Sequence, residues 1–305
     1  MNPTSADDGR VTADVIAYVD EAGEKGYLRE LSPARDAEIG LMCSLPIPYR
    51  HLETVQGRVA PLFSKFKEAA PPGAKLHIAA AFAEGQDAWR VVAEEVRSEL
   101  FELLIELNFV VLYVARRCSV VRRSFENTRA LLEAGKAERR SRVNIVGANR
   151  PSDDTLDDDL VTIMGLCLNE FVQAENLSCV DLRFDQIDAP LAERYADRLQ
   201  ETREVSSSQH IVRGWDSETQ QRVAGTISMR AEADFCLDTR HLGRIDVVGK
   251  DDPLVFAVDV VANSLWRHLQ TLPSDAPLNH GPSVEGWALV DLVWGKNEPK
   301  NWDFF

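Results

Sequence analysis

The sequence predicts an α/β domain with a mixed sheet. Three observations carry that expectation. Apolar residues make up 45% of 305, enough for a sizeable core. Three strand-like runs lie close together near the start (residues 15–19, 26–31 and 38–47), and links that short favour an antiparallel meander. Helical and strand-like spacing then alternate along the rest of the chain, which adds parallel strands and covers the sheet with helices.

Residues 1–12, polar and acidic, read as a flexible tail and not as a signal peptide. Residues 15–19 form an uninterrupted apolar run, as expected of a strand buried on both faces, and run straight into Asp20-Glu21 and a turn at Ala22-Gly23. The run 38–47 ends at Pro46 and Pro48. Residues 49–69 carry Leu52, Val55, Val59, Leu62, Phe63 and Phe66 at helical spacing and stop at Pro71-Pro72-Gly73. Residues 74–82 are open between a strand and a helix start. Residues 88–107 form a helix with an apolar stripe from Trp89 to Leu107, and 109–115 form another strand buried on both faces.

Residues 116–142 hold nine Lys/Arg and three Glu, a local 9 − 3 = +6 inside a chain of net charge −15. The stretch 116–155 reads as a charged insertion. It is either a solvated helix or a strap for nucleic acid, in which Arg116, Arg117, Arg122 and Arg123 meet phosphates. The acids from Asp153 to Asp159 suit the first turn of a helix over 160–174, capped by Ser152 or Thr155; the spacing lacks the Gly and closing Glu of a calcium loop. A strand over 178–184 ends at Asp185, and Pro190 starts a helix. Strands over 206–213, 224–229 and 243–248 precede a helix over 254–269 with Asp259 among apolar neighbours. The domain is expected to span 13–270. Residues 271–305 read as a C-terminal extension, whose Trp287, Trp294, Trp302, Phe304 and Phe305 suit packing or contact with a second copy or a protein partner.

Composition narrows the function classes. A charge of −15 argues against a surface coated in basic residues for duplex binding. Five scattered cysteines without a CxxC pair fit neither a zinc site nor a disulfide frame, which points to a reducing cytoplasm. No apolar run approaches the roughly 18 residues of a membrane span. Phosphate-loop, dinucleotide, nucleophile-elbow and zinc-protease motifs are missing.

What remains is a set of acids at similar structural places. Asp20 ends one strand, Asp185 ends another, and Asp259 sits in the late helix. Two like charges about 4 Å apart cost roughly 4 kcal/mol at an effective dielectric near 20, so converging carboxylates take up protons or a divalent cation. Mg²⁺ or Mn²⁺ held by Asp20, Asp185 and Asp259 would suit phosphodiester cleavage. Each acid also has a plainer reading. Asp20 can form a turn, Asp185 can cap the helix after Pro190, Asp259 can pair with an arginine, and Asp181 competes with Asp185. His77 is a structural histidine or a base.

The order of elements is that of the ribonuclease-H-like fold. The residues VDEAGEKG, KLHIAAAF and GKDDPLVFAVDVVANSL, in that order, also resemble motifs of an uncharacterised family, the domain of unknown function 3800, over about residues 14–270. That resemblance implies an acidic site of Asp20, Glu21, Asp185 and Asp259, in a ribonuclease-H-like nuclease or transposase setting. Ala22 stands where the family has Ser, and Gly249 where it has Ser, while Lys250 and Asp251 are kept. Lys75 stands where the family often has Glu, so Glu84 or Glu21 would complete the acids, and Lys75 and Lys250 would contact phosphate. The expected function is a metal-dependent nuclease or phosphodiesterase acting on DNA or RNA. The alternative is a non-catalytic subunit that keeps the fold, in a defence or mobile-element system.

Overall fold

The computed structural model describes residues 13–26, 30–124, 126–127, 130, 143–145, 155–185, 187, 189–204, 207–216, 218–230, 241–276 and 278. The apolar run after Asp14 forms β1 (Val15–Gly23), longer than the run itself because the acidic pair stays in the ladder. Its neighbours are β2 (Ile39–Pro48), antiparallel, and β5 (Val180–Phe184), parallel. The antiparallel strand β3 (Leu112–Arg117) flanks β2, and the parallel strand β8 (Leu242–Val247) flanks β5. The sheet order is therefore β3-β2-β1-β5-β8, with β1 in the middle. A second sheet orders β4 (Val143–Ile145), β6 (Ser207–Asp216) and β7 (Gln221–Arg230), the last two an antiparallel pair. The fold is thus α/β with a mixed sheet flanked by helices.

The meander differs from expectation in one strand. Residues 27–29 lie outside the described residues, and Gly26, Glu30 and Leu31 are not in a strand. The Glu24 carboxylate turns back onto the Gly26 amide at 2.5 Å and also meets Arg35, so the chain bends there. The antiparallel partner of β1 is β2, nine of whose ten residues are buried, and the third strand comes from the apolar run near residue 112.

Helices cover both faces. On one side lie α1 (Leu52–Ala69), α2 (Ile78–Ala81), α3 (Asp87–Glu106) and α6 (Pro253–Thr271), sharing a core with Ile16, Tyr18 and Leu45 of the sheet. Phe66 is fully buried there, its ring 4.9 Å from both Trp89 and Phe256. On the other side α4 (Leu156–Ala174) and α5 (Ala189–Glu204) share a core with Val15, Ala17 and Val19. Sequence-level caps hold these helices. Thr155 and Asp158 form a reciprocal capping box on α4, as the acid run suggested, and Asp252 accepts from the Leu254 amide at 2.9 Å ahead of Pro253 on α6.

The open segment 74–82 becomes the single turn α2. Its own N-cap residue, His77, makes no side-chain cap bond; the Asp259 carboxylate of α6 accepts from the Ile78 amide at 2.7 Å instead. A long-range carboxylate thus satisfies an orphan N–H that the local sequence leaves open. No helix among the described residues is long and apolar enough to cross a membrane. Residues 1–12 and 281–305, with the C-terminal aromatics, lie outside the described residues. The start of the C-terminal extension packs back on β3, where the Leu278 carbonyl accepts from the Tyr113 hydroxyl at 2.9 Å.

Candidate functional site: an acidic cleft at the ends of the central strands

Strand alternation sorts the acidic pair. Successive side chains point to opposite faces. Asp20 follows Ile16 and Tyr18 onto the α6 side, and Glu21 follows Val15, Ala17 and Val19 toward the α4 side. The parallel register Val19 to Phe184 makes Asp20 and Asp185 the next residues along two adjacent strands, whose axes lie about 4.8 Å apart. Asp185 therefore leaves the carboxyl end of β5 beside Asp20, which stays inside β1 just past the last parallel pair; crevices commonly form at the carboxyl ends of strands in open α/β sheets.

A cleft of about 740 Å³ opens there. Asp20, Glu21, Glu24, Glu38, Asp185 and Asp259 give it six carboxyl groups, against the ammonium groups of Lys25 and Lys250. Asp20 is only 8% exposed. Burial, then the charges of Asp259 and Glu21, hold its carboxyl well above the usual carboxylate range, and Lys25 offsets this in part. The dependence on Asp259 joins the first strand to the last helix in one electrostatic unit.

The remaining groups hold these acids in place. Asp259 is anchored by the Ile78 amide and lies 3.8 Å from His77 Nδ1. On the other side of that ring, Lys250 Nζ is 2.7 Å from Nε2. An ammonium only donates, so Nε2 accepts and the imidazole proton sits on Nδ1, facing Asp259. Lys250, His77 and Asp259 thus form a chain along one wall. Gly23 ends β1 at φ +87°, and a Cβ there would lie 2.1 Å from the Ile39 carbonyl and 2.3 Å from Trp266 Nε1. That glycine lets the Trp266 indole donate to the Ile39 carbonyl at 3.1 Å and close the floor.

No family of known proteins, no curated protein and no solved structure matches this chain. The site is therefore read from its own chemistry.

Asp20, Glu21, Asp185, Asp259, His77 and Lys250 line the cleft together. Lys75 and Glu84 are exposed and do not line it. Asp181, the competitor of Asp185, is engaged elsewhere, by the Arg244 amide at 3.0 Å and its Nε at 3.2 Å. The arginines expected to meet phosphate have partners inside the protein. Arg117 is 6% exposed and donates to the Pro273 carbonyl at 2.7 Å; the end of β3 sits under the chain leaving α6, which turns this side chain inward. Arg122 holds Asp36 at 2.7 Å and Glu126 at 2.8 Å, and Arg116 lies 3.3 Å from Asp159. Arg123 is exposed and donates to the Ser119 carbonyl at 3.0 Å.

Besides Glu24 and Glu38, two sets of cleft residues were missed in the sequence. Asn263, Trp266 and Gln270 line the cleft beside Asp259. Their spacing of 4, 7 and 11 from Asp259 is a helix stripe, a less buried line on a largely apolar helix, and could have been found from the period. Lys25 is the other, 2.5 Å from Glu21. On the α4 side this pair meets Asp157, which is 7% exposed. Burial first, then the Glu21 charge, push the Asp157 carboxyl up to about 7.

Proposed function

We propose that the chain is a metal-dependent phosphodiesterase acting on nucleic acid, with its reaction centre in the acidic cleft. One observation carries this reading: buried Asp20 shares a cleft with Asp259 and Asp185, and Lys25 only partly offsets the charges that bear on Asp20. The sheet order, three antiparallel strands continued by two parallel ones, is the order expected of a ribonuclease-H-like fold and supports it. So does the position of the acids, Asp20 inside the central strand, Asp185 just after its parallel neighbour and Asp259 on the last helix.

The donor set fits a hard divalent cation. Among the described residues no three His, Cys, Asp or Glu side chains already stand in a metal-binding group. Mg²⁺ ordinarily takes one or two carboxylates, several waters and the substrate's own phosphate oxygens, so a complete protein cage is not required. Asp20, Asp259 and Asp185 would hold Mg²⁺ or Mn²⁺. When bound, the cation offsets phosphate charge and activates water. The protein's own groups do the rest. The Ile78 amide fixes the rotamer of Asp259. His77 orients Lys250, whose ammonium offers charge to a phosphate oxygen. Burial and the neighbouring carboxylates raise the proton affinity of Asp20, which eases repulsion among the acids.

The test is hydrolysis of labelled DNA and RNA strands with Mg²⁺ or Mn²⁺. Asp20→Asn and Asp259→Asn are expected to lower the rate at least 100-fold, a loss of about 2.7 kcal/mol of transition-state stabilisation. Equal rates in wild type and both variants would overturn the assignment. The second reading, a non-catalytic subunit, is favoured by the lack of a ready-made metal group among the described residues. It predicts no hydrolysis by the wild type.

A further inference from the structure

Beside the cleft, on its α2–α6 edge, three guanidinium groups surround one aromatic ring. The Phe82 ring, just after α2, lies 4.1 Å from the Arg267 guanidinium carbon, 5.7 Å from that of Arg97 and 5.8 Å from that of Arg90. Two of the elements involved, α2 with Phe82 just after it and α6 with Arg267, also wall the cleft, and α3 brings Arg90 and Arg97 against them. Ala79 of α2 lines the cleft, and Arg267 follows the cleft residue Trp266 on α6. Asn263 and Gln270, four residues before and three after Arg267 and so on its face of the helix, line the cleft as well, and the cluster borders the acidic site through Phe82 and Arg267.

Grouping cations in this way is costly unless something anionic is nearby. The Glu94 carboxylate lies 3.9 Å from Arg90 and 3.0 Å from Arg97. At Arg267 the balance stays positive. Burial first, then the charge of Arg97, lower its affinity for its proton; Glu94 acts the other way, and Arg90 adds to Arg97. The Arg90 side chain is 56% exposed, so the cluster is open to a ligand. Stacking on the ring restricts the Arg267 fork before anything binds, which lowers the ordering cost of a bidentate contact.

We propose that Arg90, Arg97 and Arg267, gathered on Phe82, form a polyanion-binding rim that takes the phosphate backbone of a nucleic-acid strand where it leaves the acidic cleft. This rests on the phosphodiesterase reading, because a strand whose scissile phosphate reaches Asp20 must pass over one edge of the cleft. Among the described residues this edge offers grouped guanidinium ions next to the acids. An acidic peptide would use the same charges, but it has no need of the neighbouring carboxylate centre.

The test measures binding apart from cleavage. Fluorescence anisotropy of a labelled 15-nucleotide strand is followed in EDTA from 50 to 200 mM salt, with folding of each variant checked by circular dichroism. Arg267→Ala and Arg90→Ala are each expected to weaken binding about 3- to 10-fold and to lower the slope of log K against log salt by about 0.7. Glu94→Gln, which removes the competing carboxylate, is expected to tighten binding, a gain that misfolding cannot imitate. Unchanged affinity and slope in all three variants would overturn the proposal. So would a wild type that does not bind the strand, or displacement of the probe by polyglutamate as readily as by an unlabelled strand of equal charge. Hydrolysis of a nucleoside p-nitrophenyl phosphodiester with Mn²⁺, too short to reach the rim, reports on the cleft alone. Asp20-dependent hydrolysis with inert arginine variants sinks the rim and keeps the enzyme. Arginine-dependent binding with no hydrolysis of either substrate sinks the enzyme and keeps the rim.

Discussion

At the scale of the residue, the two neighbours Asp20 and Glu21 belong to different environments. Asp20 meets Asp259 on one face of the sheet; Glu21 meets Lys25, Asp157 and the buried Tyr195 on the other. Asp157 has consequences for stability. Its folded pKa is about 7, against an ordinary 3.8. Between those values the folded protein binds a proton that the unfolded chain has lost, so stability falls as pH rises from about 4 to about 7 and levels off above. Asp157→Asn removes that slope. Thermal unfolding should show the variant more stable than wild type at pH 8, by up to about 4 kcal/mol, and little changed near pH 4. A wild type and variant with parallel pH profiles would show that Asp157 is already ionised in the fold. The acid run 153–159 was legible in the sequence as helix initiation, and the capping box of Thr155 and Asp158 bears that out. Burial of Asp157 against Glu21 was not legible, because it depends on where α4 crosses the sheet.

At the scale of the element, β1 and α6 make the site between them. The end of β1 must turn while the Trp266 indole closes on the Ile39 carbonyl, and only a residue without a Cβ fits that approach. Gly23→Ala combines a positive φ with contacts of 2.1 and 2.3 Å, so denaturant unfolding should show a loss of at least about 1–3 kcal/mol. Helix α6 shows how much an element's sequence holds in plain view. Its apolar period, Pro253 at the first turn and Asp252 as cap all mark its extent. The polar line Asp259, Asn263, Trp266, Gln270 marks the face that meets the cleft. Helix α2 is the opposite case. Four residues, without a side-chain cap of their own, hold together because Asp259 reaches them from across the fold. Asp259→Ala is therefore expected to loosen 78–81 as well as to affect chemistry, visible as faster amide exchange at Ile78.

At the scale of the molecule, the sheet has a core on each face, and the cleft lies at the edge of the one containing α6. The aromatic cluster of Phe66, Trp89 and Phe256 ties α1, α3 and α6 together beneath it. Phe66→Ala should cost about 3–5 kcal/mol by chemical denaturation, since a fully buried ring leaves a cavity between three helices. The net charge of −15 sets long-range repulsion toward any nucleic acid, which the arginines around Phe82 would have to overcome locally. The expected basic stretch lies partly outside the described residues. Within them, Arg116, Arg117 and Arg122 are taken up by Asp159, the Pro273 carbonyl and Asp36.

Local pattern alone determined most of the helices, the buried strands, the cap of α4, and the acids Asp185 and Asp259 as residues after a strand and in an apolar helix; Asp20, expected at a strand end, stays inside β1. Period, capping chemistry and the cost of burying charge act over a few residues, so the sequence records them directly. Tertiary structure decided the rest. It paired β1 directly with β2, placed β5 beside β1 so that Asp20 and Asp185 stand on neighbouring strands, and set Glu21 on the opposite face of β1 from Asp20 while both line the cleft. It also gathered Arg90, Arg97 and Arg267 on one ring. Each of those outcomes depends on contacts between segments far apart in the chain, whose energies a local pattern does not carry.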